Sequence, residues 1–212
     1  MVHQTRRDWA GARSLVVRIT RDDLQAIQIA LVRHGRASGG WDTALDPDLD
    51  DLGRRQAADV ANELDQIFVG KEVEIISSPL LRCRQTASTF AKLRLLPVRV
   101  CGEVTEIPSP NGVAMAERVA WLREVMQGRW SDLDENYLVF RDRLVEFVRA
   151  IERDTVIFSH FIAINAVIGA LTNDDRLVIR SLDNCSLTLL ECDANGKLRI
   201  AQSGHEADTL IR

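Results

Sequence analysis

The sequence predicts an α/β protein built as a three-layer α/β/α sandwich, with a mostly parallel sheet that has an antiparallel margin. Three observations predict it: short apolar runs rich in branched residues recur along the 212-residue chain, helical periodicities separate them, and a hairpin pattern comes late in the sequence. Such runs suit strands buried on both faces, whereas a sheet with one wet face would alternate polar and apolar positions.

The elements follow in order. Ile27 to Val32 (IQIALV) is the first strand and ends abruptly in Arg33-His34-Gly35. Asp50 stands at an N-cap position, and Ala57, Val60, Ala61, Leu64, Ile67 and Phe68 recur behind it at helical spacing. Val73 to Ile76 reads as a second strand. Ser77-Ser78-Pro79 then announces a helix through a cap residue and a first-turn proline, with Arg82 in its opening turns. Pro97 to Val100 is a third strand, and Val113 to Gln127 has mixed helical periodicity, with Trp121 inside it and Trp130 just beyond. Leu138, Leu144, Val145, Val148 and Ile151 mark a longer helix. Thr155 to Phe158 is another buried-type strand, closed by Ser159-His160 and followed by an apolar helix from about Ile162 to Leu171. Ser186 to Glu191 and Lys197 to Ala201 flank Asn195-Gly196, a dipeptide suited to a tight hairpin turn.

This length and a hydrophobic content of 46% suffice for one compact domain, placed at 27–212 after a peripheral arm at 1–26. The arm is rich in arginine, but Asp8, Asp22 and Asp23 weigh against a mitochondrial targeting segment. With 27 basic against 31 acidic residues, no overall field holds the chain on nucleic acid or an anionic membrane, so anion binding must be local. Cys83, Cys101, Cys185 and Cys192 have neither zinc-site spacing nor a secreted disulfide pattern, and read as reduced, mostly buried thiols. No apolar run approaches the roughly 20 residues that span a bilayer, and the N-terminal stretch offers only Leu15-Val16-Val17, which points to the cytoplasm. The sequence specifies no oligomeric state.

In open α/β sheets, ligands bind beyond the carboxyl ends of the strands. Three such ends deliver Arg33 with His34, Arg82 just inside the next helix, and His160. Two guanidiniums and two imidazoles at one sheet edge make a phosphate pocket, because the planar guanidinium fork matches phosphate oxygens. A neutral imidazole is also a competent nucleophile near pH 7.

With these residues the chain resembles the histidine phosphatase superfamily, also called phosphoglycerate mutase-like, over most of its length from Leu31 onward. Leu31-Val32-Arg33-His34-Gly35 resembles its signature, and Leu49-Asp50-Asp51-Leu52-Gly53 with Gln56-Ala57 resembles the start of the following helix. Ser77-Ser78-Pro79-Leu80-Leu81-Arg82 with Gln85-Thr86-Ala87 is similar to its second arginine segment, and Val156-Ile157-Phe158-Ser159-His160 to the strand bearing its second histidine. The resemblance implies a phosphohistidine on His34, phosphate ligands in Arg33 and Arg82, and His160 as a further catalytic and phosphate-binding group. It also implies a glutamate proton donor after the third strand. Glu106 fits that alignment best, with Glu103 close by as the alternative.

The implied activity is that of a histidine-type acid phosphatase, a phosphomonoesterase acting on a small phosphorylated metabolite without cofactor or metal. Mutases carry a longer segment after the glutamate, whereas here Glu106 leads into Ile107-Pro108-Ser109-Pro110, which favours hydrolysis over phosphoglycerate mutase-type transfer. A helical cap inserted at about 107–153 would choose the substrate. A protein phosphatase and a non-catalytic phosphate-binding module are the other readings.

Two positions depart from the family. Phe161 follows His160 where glycine is usual, and Gly40 stands where many members have asparagine. Trp121, Trp130 and Met126 read as packing residues, His3 and His205 as exposed, and Cys185 and Cys192 as buried small residues on the hairpin. Arg36 reads equally as a substrate contact or an ordinary surface arginine.

Overall fold

The computed structural model describes residues 26–39, 46–110, 112–204 and 206. Nearly all of the N-terminal arm, Gly40, His3 and His205 lie outside the described residues. Six strands form one sheet: β1 (Ile27–Arg33), β2 (Glu74–Ser77), β3 (Val98–Val100), β4 (Thr155–Ser159), β5 (Leu187–Cys192) and β6 (Leu198–Gln202), in the order β3-β2-β4-β1-β5-β6. β3, β2, β4 and β1 pair in parallel, and β5 and β6 add the antiparallel margin. The strand that the resemblance assigns the second histidine, β4, is central and buried at every position.

Side chains alternate across a strand, and this period of two divides the core. Ala30, Val32, Ile75, Val156 and Phe158 face α1 (Asp51–Ile67) and α2 (Leu81–Arg94), packing with Val60, Leu64, Phe68 and Phe90. Ile29, Leu31, Ile76 and Ile157 pack on the other side with α4 (Glu135–Arg149) and α5 (Phe161–Thr172). A leucine-sized side chain wholly buried in either layer contributes about 1.5–3 kcal/mol relative to an exposed one. α5 is buried from Phe161 to Gly169, so it is an interior helix with no polar stripe.

The stretch read as a cap is partly a layer of the sandwich. α4 places Leu144 and Val148, four residues apart and therefore on one helical face, in the core cluster that contains α5. α3 (Met115–Val125) buries Leu122 and sets Trp121 beside Tyr137 of α4, with ring centroids 5.8 Å apart. Trp130 is fully enclosed, in keeping with its packing role.

Two turns differ from the sequence reading. The β5–β6 loop is longer than a two-residue turn. Asp193 N–H donates to Lys197 O, Gly196 N–H donates to Asp193 O, and Gly196 takes φ +79°, the left-handed geometry of a three-residue loop. α2 starts at Leu81 rather than at Ser78-Pro79, and its N-cap, Leu80, has no side-chain cap. Ser78 Oγ instead meets His160 Nε2 at 2.7 Å and accepts weakly from Leu80 N–H at 3.3 Å. Asp50 does cap α1, with Oδ1 accepting from Gly53 N–H at 2.7 Å.

The loop after β1 lies directly on the start of α1. A Cβ on Gly53 would sit 2.0 Å from Arg36 O, and one on Gly35 would sit 2.6 Å from Gly53 O. Both neighbours are backbone and cannot swing away. Gly53→Ala is therefore expected to destabilise the fold by about 3 kcal/mol, the upper end of overpacking costs, in urea unfolding followed by circular dichroism. A loss under 0.5 kcal/mol would contradict this packing.

Candidate active site

β1, β4 and β2 are neighbours and parallel, so their carboxyl ends open at one edge of the sheet. Arg33 is in register with Ser159, which carries His34 and His160 out of the sheet side by side. Their rings meet edge to face, with centroids 5.2 Å apart. His34 N–H donates to Ser159 O at 3.0 Å and Ser78 N–H donates to Phe158 O at 3.0 Å, which pins the three strand ends together.

Arg82, in the first turn of α2, joins the two histidines. Its Nε donates to His34 Nε2 at 3.2 Å and its Nη2 lies 3.3 Å from His160 Nδ1. Because a guanidinium can only donate, both of those ring nitrogens are acceptors, and the proton of each neutral ring lies on the other nitrogen. His34 Nδ1–H then donates to Gly35 O at 2.8 Å, and His160 Nε2–H donates to Ser78 Oγ. Cys83 Sγ closes the far side of His160, 3.3 Å from Nε2.

Arg33 is held differently. Its Nη1 donates to Leu182 O at 2.6 Å, and its guanidinium lies over the Phe161 ring, 5.1 Å from the centroid. The residue that departs from the family pattern thus forms a cation–π contact with the first arginine. Arg33 Nε is buried and has no hydrogen-bond partner among the described residues. A family model described as the histidine phosphatase superfamily (branch 1) matches residues 29–202. The chain belongs to the histidine phosphatase superfamily.

Solved structures agree on the fold of this superfamily member. Bacillus stearothermophilus YhfR superposes with a TM-score of 0.69 at 19% identity, covering 86% of this chain and 98% of its own. A mycobacterial glucosyl-3-phosphoglycerate phosphatase bound to inorganic phosphate gives 0.63 at 22% identity, covering 87% and 100%. A phosphoserine phosphatase from Entamoeba histolytica, in complex with 3-phosphoglyceric acid, gives 0.63 at 18% identity with the same coverage. A search of curated proteins finds no match.

The two glutamates of this histidine phosphatase part company at the 3-10 turn Gly102–Val104. Glu103 faces solvent, with its carboxylate accepting from Cys101 Sγ at 2.8 Å. Glu106 turns inward and lies at the N-terminus of α5. There Oε2 accepts from Ile162 N–H and Oε1 from Ala163 N–H, both at 3.2 Å, and Oε1 also accepts from Ile107 N–H at 3.0 Å. Burial raises the Glu106 carboxyl above the ordinary range, against the pull of these donors and of Arg82.

Burial, reinforced by Arg82 and Arg33, holds the His34 imidazole well below its ordinary range. Burial likewise lowers His160, with His34, Arg82 and Arg33 adding to it. Both rings are therefore neutral at pH 7. Arg36 is engaged within the protein, its Nε donating to Asp50 Oδ2 at 2.5 Å, so its charge serves the α1 start. Among the described residues, all four cysteines are free, no three or more His, Cys, Asp or Glu side chains are grouped to hold a metal ion, and no helix is long and apolar enough to cross a membrane.

Sequence reasoning missed the loop before β5. Leu182 O holds Arg33, Asn184 Nδ2 donates to His34 O at 3.1 Å, and Cys185 N–H, in a left-handed conformation at φ 58°, donates to Arg33 O. Two of these contacts use main-chain groups that every residue has, so residue types give little signal for them.

The buried imidazoles fix a pH dependence of stability. Each ring stays neutral in the fold while its unfolded counterpart binds a proton below 6.5, so stability is lost as pH falls through that value. Between pH 7.5 and 5.5 each contributes a loss of about 1.4 kcal/mol. Glu106 has the opposite sign. Its raised folded value adds stability below the unfolded 4.5 that is lost as pH rises through the folded value. Urea titrations of His160→Asn should therefore show the loss between pH 7.5 and 5.5 shrinking by about 1.4 kcal/mol relative to the parent. An unchanged loss would mean that the ring is not held neutral.

Proposed function

We propose that this protein is a phosphomonoesterase that hydrolyses a small phosphorylated metabolite through a phosphohistidine on His34, without a metal ion. The observation that carries the reading is the state of His34: a neutral ring, its proton held on Nδ1 by Gly35 O, and its Nε2 lone pair facing the Arg82 guanidinium.

A phosphoryl group entering this corner replaces His34 as the acceptor of the Arg82 Nε–H and takes the unpartnered Arg33 Nε–H as well. His34 Nε2 attacks phosphorus as the bond to the leaving oxygen breaks, and protonated Glu106 gives that oxygen its proton. Water then attacks the phosphohistidine, Glu106 takes the water's proton, the P–N bond breaks, and phosphate leaves with His34 neutral again. Two guanidiniums supply the charge stabilisation that phosphoryl transfer mainly demands, and His160 steadies the transferring group from beside Arg82. A carboxyl pKa raised by burial suits Glu106 to both proton transfers, because it moves the group from the ordinary carboxylate range toward the working pH of an acid–base catalyst.

Two structural relatives, a glucosyl-3-phosphoglycerate phosphatase and a phosphoserine phosphatase, support a small phosphate ester as substrate. The short run after Glu106 favours hydrolysis over mutase transfer. The part of the cap segment before α4, residues 107–134, is the part we assign to substrate choice. A reducing compartment such as the cytoplasm fits the four free cysteines.

The test measures phosphate release from p-nitrophenyl phosphate and from a panel of sugar and glycerate phosphates. His34→Ala should lose about a thousandfold or more on every substrate, and surviving activity would sink the assignment. Glu106→Gln should slow alkyl phosphates by about a hundredfold but p-nitrophenyl phosphate far less, since p-nitrophenolate leaves without a proton. Equal losses on both would remove Glu106 as the acid.

A further inference from the structure

His34 can attack through Nε2 only if the ring proton stays on Nδ1, and two groups hold it there: Gly35 O accepts from Nδ1–H at 2.8 Å, and the Arg82 Nε–H faces Nε2 at 3.2 Å. That carbonyl belongs to the loop that follows β1, so no strand ladder fixes its direction. It is fixed from the other end of its own peptide. The Gly35–Arg36 peptide is planar, so Gly35 C=O and Arg36 N–H point in opposite directions and turn together. Arg36 N–H donates to the Gln56 side chain at 2.9 Å. A backbone N–H has nothing to accept with, so the Gln56 atom facing it is the amide oxygen.

The flanking peptides are held by other groups. Gly35 N–H donates to Thr86 Oγ1 at 3.0 Å, and that hydroxyl passes its own proton to Arg82 O at 2.7 Å. Arg36 O accepts from Asp50 N–H at 3.1 Å. Of these contacts, only Gln56 grips the unit whose carbonyl meets His34. It reaches that unit from the same face of α1 as Gly53, three residues earlier, whose backbone allows no Cβ against Arg36.

We propose that Gln56 is a positioning residue that supports the Nδ1-protonated His34 tautomer through the Gly35–Arg36 peptide, alongside the direct contact from Arg82. The inference rests on His34 Nε2 being the nucleophile for its effect on turnover, but not for its effect on the ring proton. Without the Gln56 acceptor, the peptide keeps only its packing on Gly53 and the hold on its flanking peptides, Gly35 O sits less squarely on Nδ1, and the ring proton shifts part of the way toward Nε2 against the opposing Arg82 Nε–H, where it blocks attack.

The experiment compares Gln56→Leu, which keeps the shape and removes the acceptor, with Gln56→Glu, which keeps an acceptor oxygen at that position. Two readouts are taken on the full chain: the ¹⁵N imidazole spectrum of His34, and kcat and KM on p-nitrophenyl phosphate, with circular dichroism to check folding. The parent should show His34 protonated at Nδ1. Gln56→Leu should move the proton toward Nε2 and lower kcat about 10- to 100-fold with KM little changed, the usual scale for removing a group that orients a catalytic one. Gln56→Glu should restore the parent spectrum and most of kcat. A parent-like spectrum in Gln56→Leu, or a loss in Gln56→Glu as deep as in Gln56→Leu, would overturn the proposal. A parent protein inactive on every phosphate ester, yet showing the proton shift in Gln56→Leu, would overturn the catalytic reading and keep Gln56 as a residue that supports the tautomer.

Discussion

The guanidinium of Arg82 reaches from α2 to both His34 Nε2 and His160 Nδ1, and so ties one helix to the ends of two central strands. For that reach to exist, β1 and β4 must run parallel and in register, so that Arg33 and Ser159 end level and the two histidines leave together. β2 must lie on the other side of β4, so that the chain enters α2 beside Ser159. The sandwich places its apolar layers where they meet these conditions. β1, β2, β4 and β5 send alternate residues to the apolar layers on the two sides of the sheet, leaving the carboxyl edge as the place where polar groups converge.

Cations and imidazoles that close together would repel if all were charged. The conflict is settled by keeping the imidazoles neutral: burial and the two arginines both press in that direction, and each ring has a donor on one side and an acceptor on the other. Among the described residues, the Arg33 Nε–H has no hydrogen-bond partner, and Arg82 is held by two neutral ring nitrogens and by the Asp46 carboxylate, 3.9 Å away. Backbone donors at the start of α5 position Glu106 at the same edge, while burial raises its carboxyl above the ordinary range.

Much of this was legible in the residues. Branched runs identified β1, β2 and β4 to within a residue or so, because strands buried on both faces leave no other pattern. Asp50 announced α1 correctly, since its cap is a local side-chain interaction. Ser78 misled for a related reason: its hydroxyl serves His160, eighty-two residues away, and a local cap motif does not disclose a long-range partner. Glu103 and Glu106 were hard to separate because they lie three residues apart, and only the turn between them sends one outward and one inward. α4 was visible as a helix but not as a layer, because its apolar face does not name α5 as what it packs on. The hold on Arg33 by Leu182 O was invisible, being made by a backbone carbonyl.

Covalent phosphorylation of His34 can be tested by quenching the protein during turnover of an aryl phosphate and locating phosphate on the chain by mass spectrometry. One phosphate on His34, stable in base, lost in acid and absent from His34→Ala, is the expected result. A phosphate on another residue, or turnover with no phosphorylated protein under conditions that make hydrolysis of the intermediate slow, would contradict it.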